Sequence, residues 1–170
     1  MITNRPKRLA GVSYVGFQRY FVTTCTAFRK PIFKDDVIAT GTTTTILTTA
    51  ATFGFAVPAY CLMPDHIHLL LAALSQTADL AAFMKQAKQL GGLAYRQARG
   101  QSLWHSGYYD RILRDDEATF AVARYILENP VRAELAQELG EWPHAGSSCY
   151  TWPELRTAWE LATPTREEQT

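Results

Sequence analysis

Several large protein classes are excluded by what this chain lacks. Among its 170 residues are only three cysteines, Cys25, Cys61 and Cys149. An odd number with no CxxC pairing argues against a disulfide framework or a zinc knuckle and fits a reducing cytoplasm. No apolar run reaches the roughly 18 residues that cross a bilayer. The basic start, Arg5, Lys7 and Arg8, is not followed by the apolar core of a signal peptide. The expectation is a soluble, cytoplasmic protein with no membrane partner. A GxxxxGK[ST] phosphate loop is missing, which removes that route to nucleotide chemistry. Acidic side chains are absent from the first 34 residues, which hold seven basic ones: Arg5, Lys7, Arg8, Arg19, Arg29, Lys30 and Lys34. Such a field suits phosphates, and it equally describes a solvated basic terminus.

What is present suffices for one core. With 47% hydrophobic residues, a chain of this length reads as a single domain over residues 1–148. An acidic extension, with room for partial disorder, follows over 149–170. The net charge of +1 conceals a division: residues 1–133 carry fifteen basic against nine acidic side chains (+6), and residues 134–170 carry two against seven (−5).

Tyr20–Ala27 is rich in aromatic and β-branched residues and reads as a strand. Asp35-Asp36 is suited to capping a helix over 37–53, although Gly41 and the Thr42–Thr45 run are poor helix formers. Phe55–Met63 and His66–Ala73 are apolar strand-like runs joined by Pro64-Asp65, turn-forming residues between antiparallel neighbours. From Thr77, a plausible cap, to Arg99, the residues Leu80, Phe83, Ala87, Leu90 and Ala94 recur at helical spacing. Lys85, Lys88, Arg96 and Arg99 cluster on the opposite side, a phosphate-tracking face or an ordinary solvated one. Gly91-Gly92 weakens this helix locally. Tyr108–Leu113 forms a fourth strand, and Asp115-Asp116-Glu117 opens a last helix expected to end at Asn129, ahead of Pro130. The order βαββαβ predicts an α+β, ferredoxin-like fold: an antiparallel four-stranded sheet with helices on one face, plus an additional helix toward the C-terminus.

Within this frame the chemistry concentrates at His66-Ile67-His68. Alternation along a strand points both imidazoles to one face, which is most of a metal site and also a common structural arrangement. Tyr125 and Asn129 lie four residues apart, so they share one face of the last helix. Asn129 offers an amide oxygen that would complete a divalent-ion site with open positions, and Tyr125 beside it is a candidate nucleophile. The bland alternatives are a core tyrosine and a helix-capping asparagine. Tyr108 and Tyr109 in GYYDR are competing phenols, but neither has a ligand-type residue one helical turn away. Trp104 reads as a core residue, and His105 as a base-stacking or core-edge residue.

Order and spacing of several blocks resemble the single-tyrosine HUH transposases: the strand FVTTCT, YCLMPDHIHLLL, FMKQAKQ, LWHSGYYDRILRDDE, ARYILENPVRAEL and WPHAGSS. The length, NPVRA and WPHAGSS are most similar to the REP-associated tyrosine transposases. The threonine run and His105, where glutamine is frequent, depart from the pattern. The resemblance implies His66, His68 and Asn129 as ligands of Mg²⁺ or Mn²⁺ and Tyr125 as the catalytic nucleophile on that last helix. It further implies a metal-dependent endonuclease and strand transferase acting on single-stranded hairpin DNA at palindromic repeats through a 5′-phosphotyrosine intermediate. Candidate DNA contacts are Arg5, Lys7, Arg8, Lys85, Lys88, Arg96, Arg99, Arg111 and Arg114. Such proteins work as a monomer or a homodimer. The alternatives are a non-cleaving, sequence-specific DNA-binding protein derived from a transposase and a histidine-based metallohydrolase of small phosphoesters.

Overall fold

A computed structural model describes residues 15–114 and 116–162. Its elements are β1 (Arg19–Cys25), α1 (Asp36–Thr52), β2 (Phe55–Met63), β3 (His66–Ala73), α2 (Leu80–Arg99), β4 (Tyr109–Leu113), α3 (Asp116–Arg132), β5 (Ala145–Gly146) and α4 (Trp152–Ala162). The strands pair antiparallel in the order β4-β1-β3-β2-β5. The first four give the expected ferredoxin-like arrangement. The fifth, from WPHAGSS, is an addition: Ala145 and Gly146 pair with Cys61 and Tyr60 on the free edge of β2. A Cβ at Gly146 would stand 3.0 Å from the Tyr60 hydroxyl, so any larger residue there would push the Tyr60 side chain aside.

Both sheet faces are covered, which is why β3 is apolar at nearly every position. Tyr20, Val22, Ile67, Leu69 and Leu71 enter a core shared with α1 and α2, including Phe83 and Ile46. Leu70, Ala59, Cys61 and Met63 enter a second core beneath α3, with Ile126 and Leu127. A register irregularity between Ala56 and Ala59, where Pro58 cannot donate a ladder hydrogen bond, moves β2 out of strict alternation. Phe55 and Val57 therefore serve the first core, and Ala59, Cys61 and Met63 the second.

Two helix boundaries, and the regularity of a third helix, differ in detail from expectation. Asp79, not Thr77, caps α2, its Oδ1 accepting from the N–H groups of Ala81 (2.7 Å) and Ala82 (3.0 Å). Thr77 lies too far back and pairs with the Ser75 hydroxyl instead. Helix α1 is regular despite its threonines, because Thr43, Thr44, Thr45, Thr48, Thr49 and Thr52 each donate to the carbonyl four residues earlier, so their hydroxyls are satisfied inside the helix. Asp35 caps it, accepting from the N–H groups of Ile38 and Val37; these bonds and Arg99 hold its carboxyl below the usual range. Helix α3 passes through Pro130 to Arg132. Proline leaves the carbonyl of Ile126 without its helical donor. Asn129 supplies one, its Nδ2 reaching Ile126 O (3.4 Å) as well as Tyr125 O (2.8 Å).

The glycines Gly91 and Gly92 admit Trp104, whose ring would lie 3.6 and 3.3 Å from a Cβ at those positions. The C-terminal segment folds back onto the body: Leu155 and Trp159 of α4 are buried in the second core. None of the described helices is long and apolar enough to cross a membrane.

Candidate active site

The register of the sheet decides which side chains meet. Thr23 and Cys25 of β1 stand opposite His68 and His66 of β3, and Tyr109 and Arg111 of β4 stand opposite Thr23 and Phe21. Directly opposed residues share a face, so these seven occupy the side of the sheet under α3. There the Nε2 atoms of His66 and His68 approach to 3.1 Å. Behind them, His66 Nδ1 lies 2.6 Å from Asp65 Oδ1 and His68 Nδ1 lies 2.9 Å from Thr23 Oγ1.

This wiring constrains the protons. Beside a carboxylate, His66 Nδ1 carries the hydrogen, so in the neutral ring Nε2 presents a lone pair. His68 does the same when its Nδ1–H donates to Thr23. In that tautomer two lone pairs converge and a shared cation or proton satisfies both, and an imidazole pair backed by the Asp65 carboxylate and the Thr23 hydroxyl is a donor set that fits a divalent ion. No cluster of three or more His, Cys, Asp or Glu suited to a metal occurs among the described residues, so any further protein ligand is of another type, such as the Asn129 amide. Burial, the nearby His66 and the Arg29 charge lower the His68 pKa to about 4, keeping this imidazole neutral and available at physiological pH. Arg29 also grips the carboxylate behind His66, its Nε lying 3.1 Å from Asp65 Oδ2. Cys61, on the same face but buried, has its thiol pushed up to about 12 by burial, which makes it a poor nucleophile.

Tyr125 hangs from α3 over this pair. Its ring meets His68 edge-on at 5.9 Å and Phe21 at 6.1 Å, yet 39% of the residue is exposed. The guanidinium of Arg132, two turns later, lies 4.9 Å from the ring centroid. The phenol is thus partly exposed, under a cation and against the His68 imidazole, rather than enclosed in the core.

The sequence candidates separate accordingly. His66, His68 and Tyr125 come together within one chain, with Asn129 one helical turn beyond and Arg111 on the same sheet face. Tyr109 also lies there, 44% exposed and 6.5 Å from Phe21, whereas Tyr108 and Trp104 pack against the first core. The cations of α2 sit across the sheet from the histidines. Lys88 donates to the carbonyls of His105 and Gly107, and Arg99 pairs with Asp35 at 2.7 Å. Lys85, Arg96 and Arg114 are exposed. Arg5, Lys7, Arg8 and Asp115 lie outside the described residues. Thr23, Asp65, Arg29 and Arg132 were not assigned to the site from the sequence, where Arg29 counted only as part of the basic N-terminal field and Asp65 only as a turn residue. Asp65, adjoining His66, carried a signal; the others are recognisable only once register and helix placement are known.

Comparison with known proteins gives the family and the fold. The pattern of the family described as "Transposase IS200 like" matches residues 17–129, spanning both histidines, Tyr125 and Asn129. The chain belongs to the IS200-like transposase family. It is 25% identical over 105 residues to a protein of Haemophilus influenzae (strain ATCC 51907 / DSM 11121 / KW20 / Rd) assigned by name to the REP-associated tyrosine transposases. That match covers 55% of this chain and 59% of the relative's length. Its fold is similar to that of a solved REP-associated tyrosine transposase bound to a REP hairpin, with a TM-score of 0.65 and 16% identity over 81% of each chain. A crystal structure from Deinococcus radiodurans R1, described as a transposase, aligns with a TM-score of 0.51 and 25% identity over 70% of this chain and 95% of that one.

Proposed function

We propose that this IS200-like transposase cleaves and rejoins single-stranded DNA beside a hairpin, with Tyr125 as nucleophile and His66, His68 and Asn129 as ligands of Mg²⁺ or Mn²⁺. The observation that carries the reading is the placement of a partly exposed Tyr125 ring 5.9 Å from His68, over the converging histidine nitrogens. When bound, the ion would polarise the non-bridging phosphoryl oxygens. The Tyr125 oxygen attacks phosphorus and loses its proton. The bond from phosphorus to the 3′-oxygen breaks, and that oxygen leaves as a 3′-hydroxyl. The 5′-phosphotyrosine bond conserves the phosphodiester's energy, so a 3′-hydroxyl can reverse the step without a nucleotide cofactor.

Other groups hold this geometry. Asp65 and Thr23 fix the rotamers and tautomers of the two imidazoles, and Arg29 steadies Asp65. Arg132, its guanidinium over the Tyr125 ring, sits where it favours the approach of phosphate. Arg111 and Arg114, at the exposed β4 edge, supply sequence-independent contacts to the strand's backbone. The meeting of His66, His68 and Tyr125 within one chain supports reaction by a monomer, the homodimer being the alternative.

The test is incubation of end-labelled hairpin DNA carrying single-stranded flanks with wild type and Tyr125→Phe, in Mn²⁺ or EDTA, followed by denaturing electrophoresis. A protein–DNA adduct that requires both the metal and Tyr125 is expected. Retardation on a native gel with no adduct from wild type would overturn the cleavage reading in favour of a DNA-binding protein.

A further inference from the structure

Beside the site runs a short strap, Thr26–Lys30, whose backbone is tied down at several points. Thr26 N–H donates to Asp65 O (3.0 Å) and Ala27 N–H to Leu103 O (2.8 Å), while Arg29 N–H and Lys30 N–H close back onto Thr26 O and Ala27 O. The Thr26 hydroxyl lies 2.7 Å from Lys30 O and 3.0 Å from Asp65 O. At the crest stands Phe28, 87% exposed. Phe28 and Arg29 both have left-handed backbone, with φ of 57 and 56°, a conformation that a bulky aromatic residue seldom adopts. So anchored a strap does not relax the strain, and strain held in this way marks a constrained side chain. Its result is a phenyl ring held out in water, one residue from the Arg29 that grips Asp65 behind His66.

We propose that Phe28 is a stacking platform for a nucleobase of the single strand next to the scissile phosphate. The inference rests on the single-strand cleavage reading above and adds a specific positioning contact to it. An aromatic face offered to solvent beside cations is what an unpaired base recognises, since every base has a π-face and its phosphates seek positive charge. The flanking cations are here: Arg29, Lys30 and Lys34 follow Phe28, and no acidic residue lies between positions 15 and 34. Duplex DNA would not engage the ring in this way, because its bases are already stacked. Phe28 therefore acts on the single-stranded flank, fixing the strand's position over Tyr125 rather than taking part in the chemistry.

The experiment compares full-length wild type, Phe28→Asn and Phe28→Trp. Asparagine tolerates left-handed backbone better than phenylalanine, so this variant keeps the fold, as circular dichroism would check. Each protein is titrated with a blunt hairpin and with the same hairpin carrying single-stranded flanks, and 2-aminopurine is placed at successive flank positions. Loss of one stacked base weakens Phe28→Asn for the flanked hairpin by about 5- to 150-fold. Blunt-hairpin affinity is expected to be unchanged, and the protein-induced fluorescence change is lost at one flank position. Phe28→Trp retains both affinities. Equal affinity of wild type and Phe28→Asn for the flanked hairpin, or an equal loss on both hairpins, overturns the proposal. The Tyr125 adduct assay, run in parallel on the same DNA, keeps the two readings apart. An adduct from wild type with no effect of Phe28→Asn refutes the platform alone. Selective loss of flank binding without any adduct supports the platform and refutes cleavage.

Discussion

Acidification should destabilise this protein through the buried imidazole of His68. His68 is 7% exposed, and its pKa falls from 6.5 to about 4, through burial first, then His66 and Arg29. The unfolded chain therefore takes up a proton at this position below pH 6.5, whereas the folded protein refuses it until about pH 4. Unfolding binds a proton throughout that window, so stability is full above pH 6.5 and declines as pH falls toward 4. At pH 5 the linkage relation gives a loss of about 2 kcal/mol from this group, as an upper figure. With a urea m-value of about 2 kcal/mol/M, the midpoint drops by about 1 M. The assay is urea unfolding at pH 7.5, 6.5, 5.5 and 5.0 in EDTA, on wild type and His68→Asn. The variant removes the titration and keeps a short polar side chain near Thr23. Its stability should change less between pH 7.5 and 5.0, by about the stated amount. Parallel curves for the two proteins would refute the reasoning, because the carboxylates that also titrate near pH 5 are common to both.

Two further outcomes follow from named contacts. Asp65→Asn keeps an acceptor for His66 Nδ1 but loses the charge that fixes the ring and holds Arg29. It should weaken Mn²⁺ binding, read by the electron-paramagnetic-resonance signal of free ion, by about 10- to 100-fold, and an unchanged titration curve would remove Asp65 from the support of the site. Asp79→Ala should cost about 1 kcal/mol in urea unfolding through loss of the α2 cap, while Thr77→Ala costs little. The reverse order would mean that the Asp79 carboxylate does not cap the helix as its bonds to Ala81 and Ala82 indicate.

The site also shows a division of labour between rigid and adjustable parts. Both histidines stand on a strand flanked on each side by paired neighbours, so a ligand pair placed there is held by the ladder as well as by Asp65 and Thr23. Tyr125 instead rides on a helix that carries Pro130 in its interior, just over one turn beyond it. Proline removes an axial hydrogen bond and lets a helix bend. Asn129 repairs the gap through its side-chain amide. The same side chain thus donates to its own helix through Nδ2, while the ligand role needs only its amide oxygen, so the capping and ligand roles that looked like alternatives in the sequence use different atoms.

Local pattern alone determined the elements. Alternation in YFVTTC, the two apolar runs around Pro64-Asp65 and the 3.6-residue repeat from Leu80 onward specify strand, hairpin and helix, because each residue's direction follows from backbone period. The His66/His68 pair and the Tyr125/Asn129 pair were readable for the same reason, each lying within one element of known repeat. Tertiary structure decided what those pairs face. Register across β1 and β3 placed Thr23 behind His68, and a strand pair slipped by one residue would have put the imidazoles on the α1/α2 side. The strap from Thr26 brought Arg29 to Asp65, and the passage of α3 through Pro130 carried Arg132 over Tyr125. Such contacts depend on distances between elements far apart in the chain, set by how two cores fill the two faces of one sheet, and periodicity within a segment carries no information about them. The basic face of α2 makes the same point: its charge was plain in the sequence, but only the packing of α2 against the first core placed it across the sheet from the histidines.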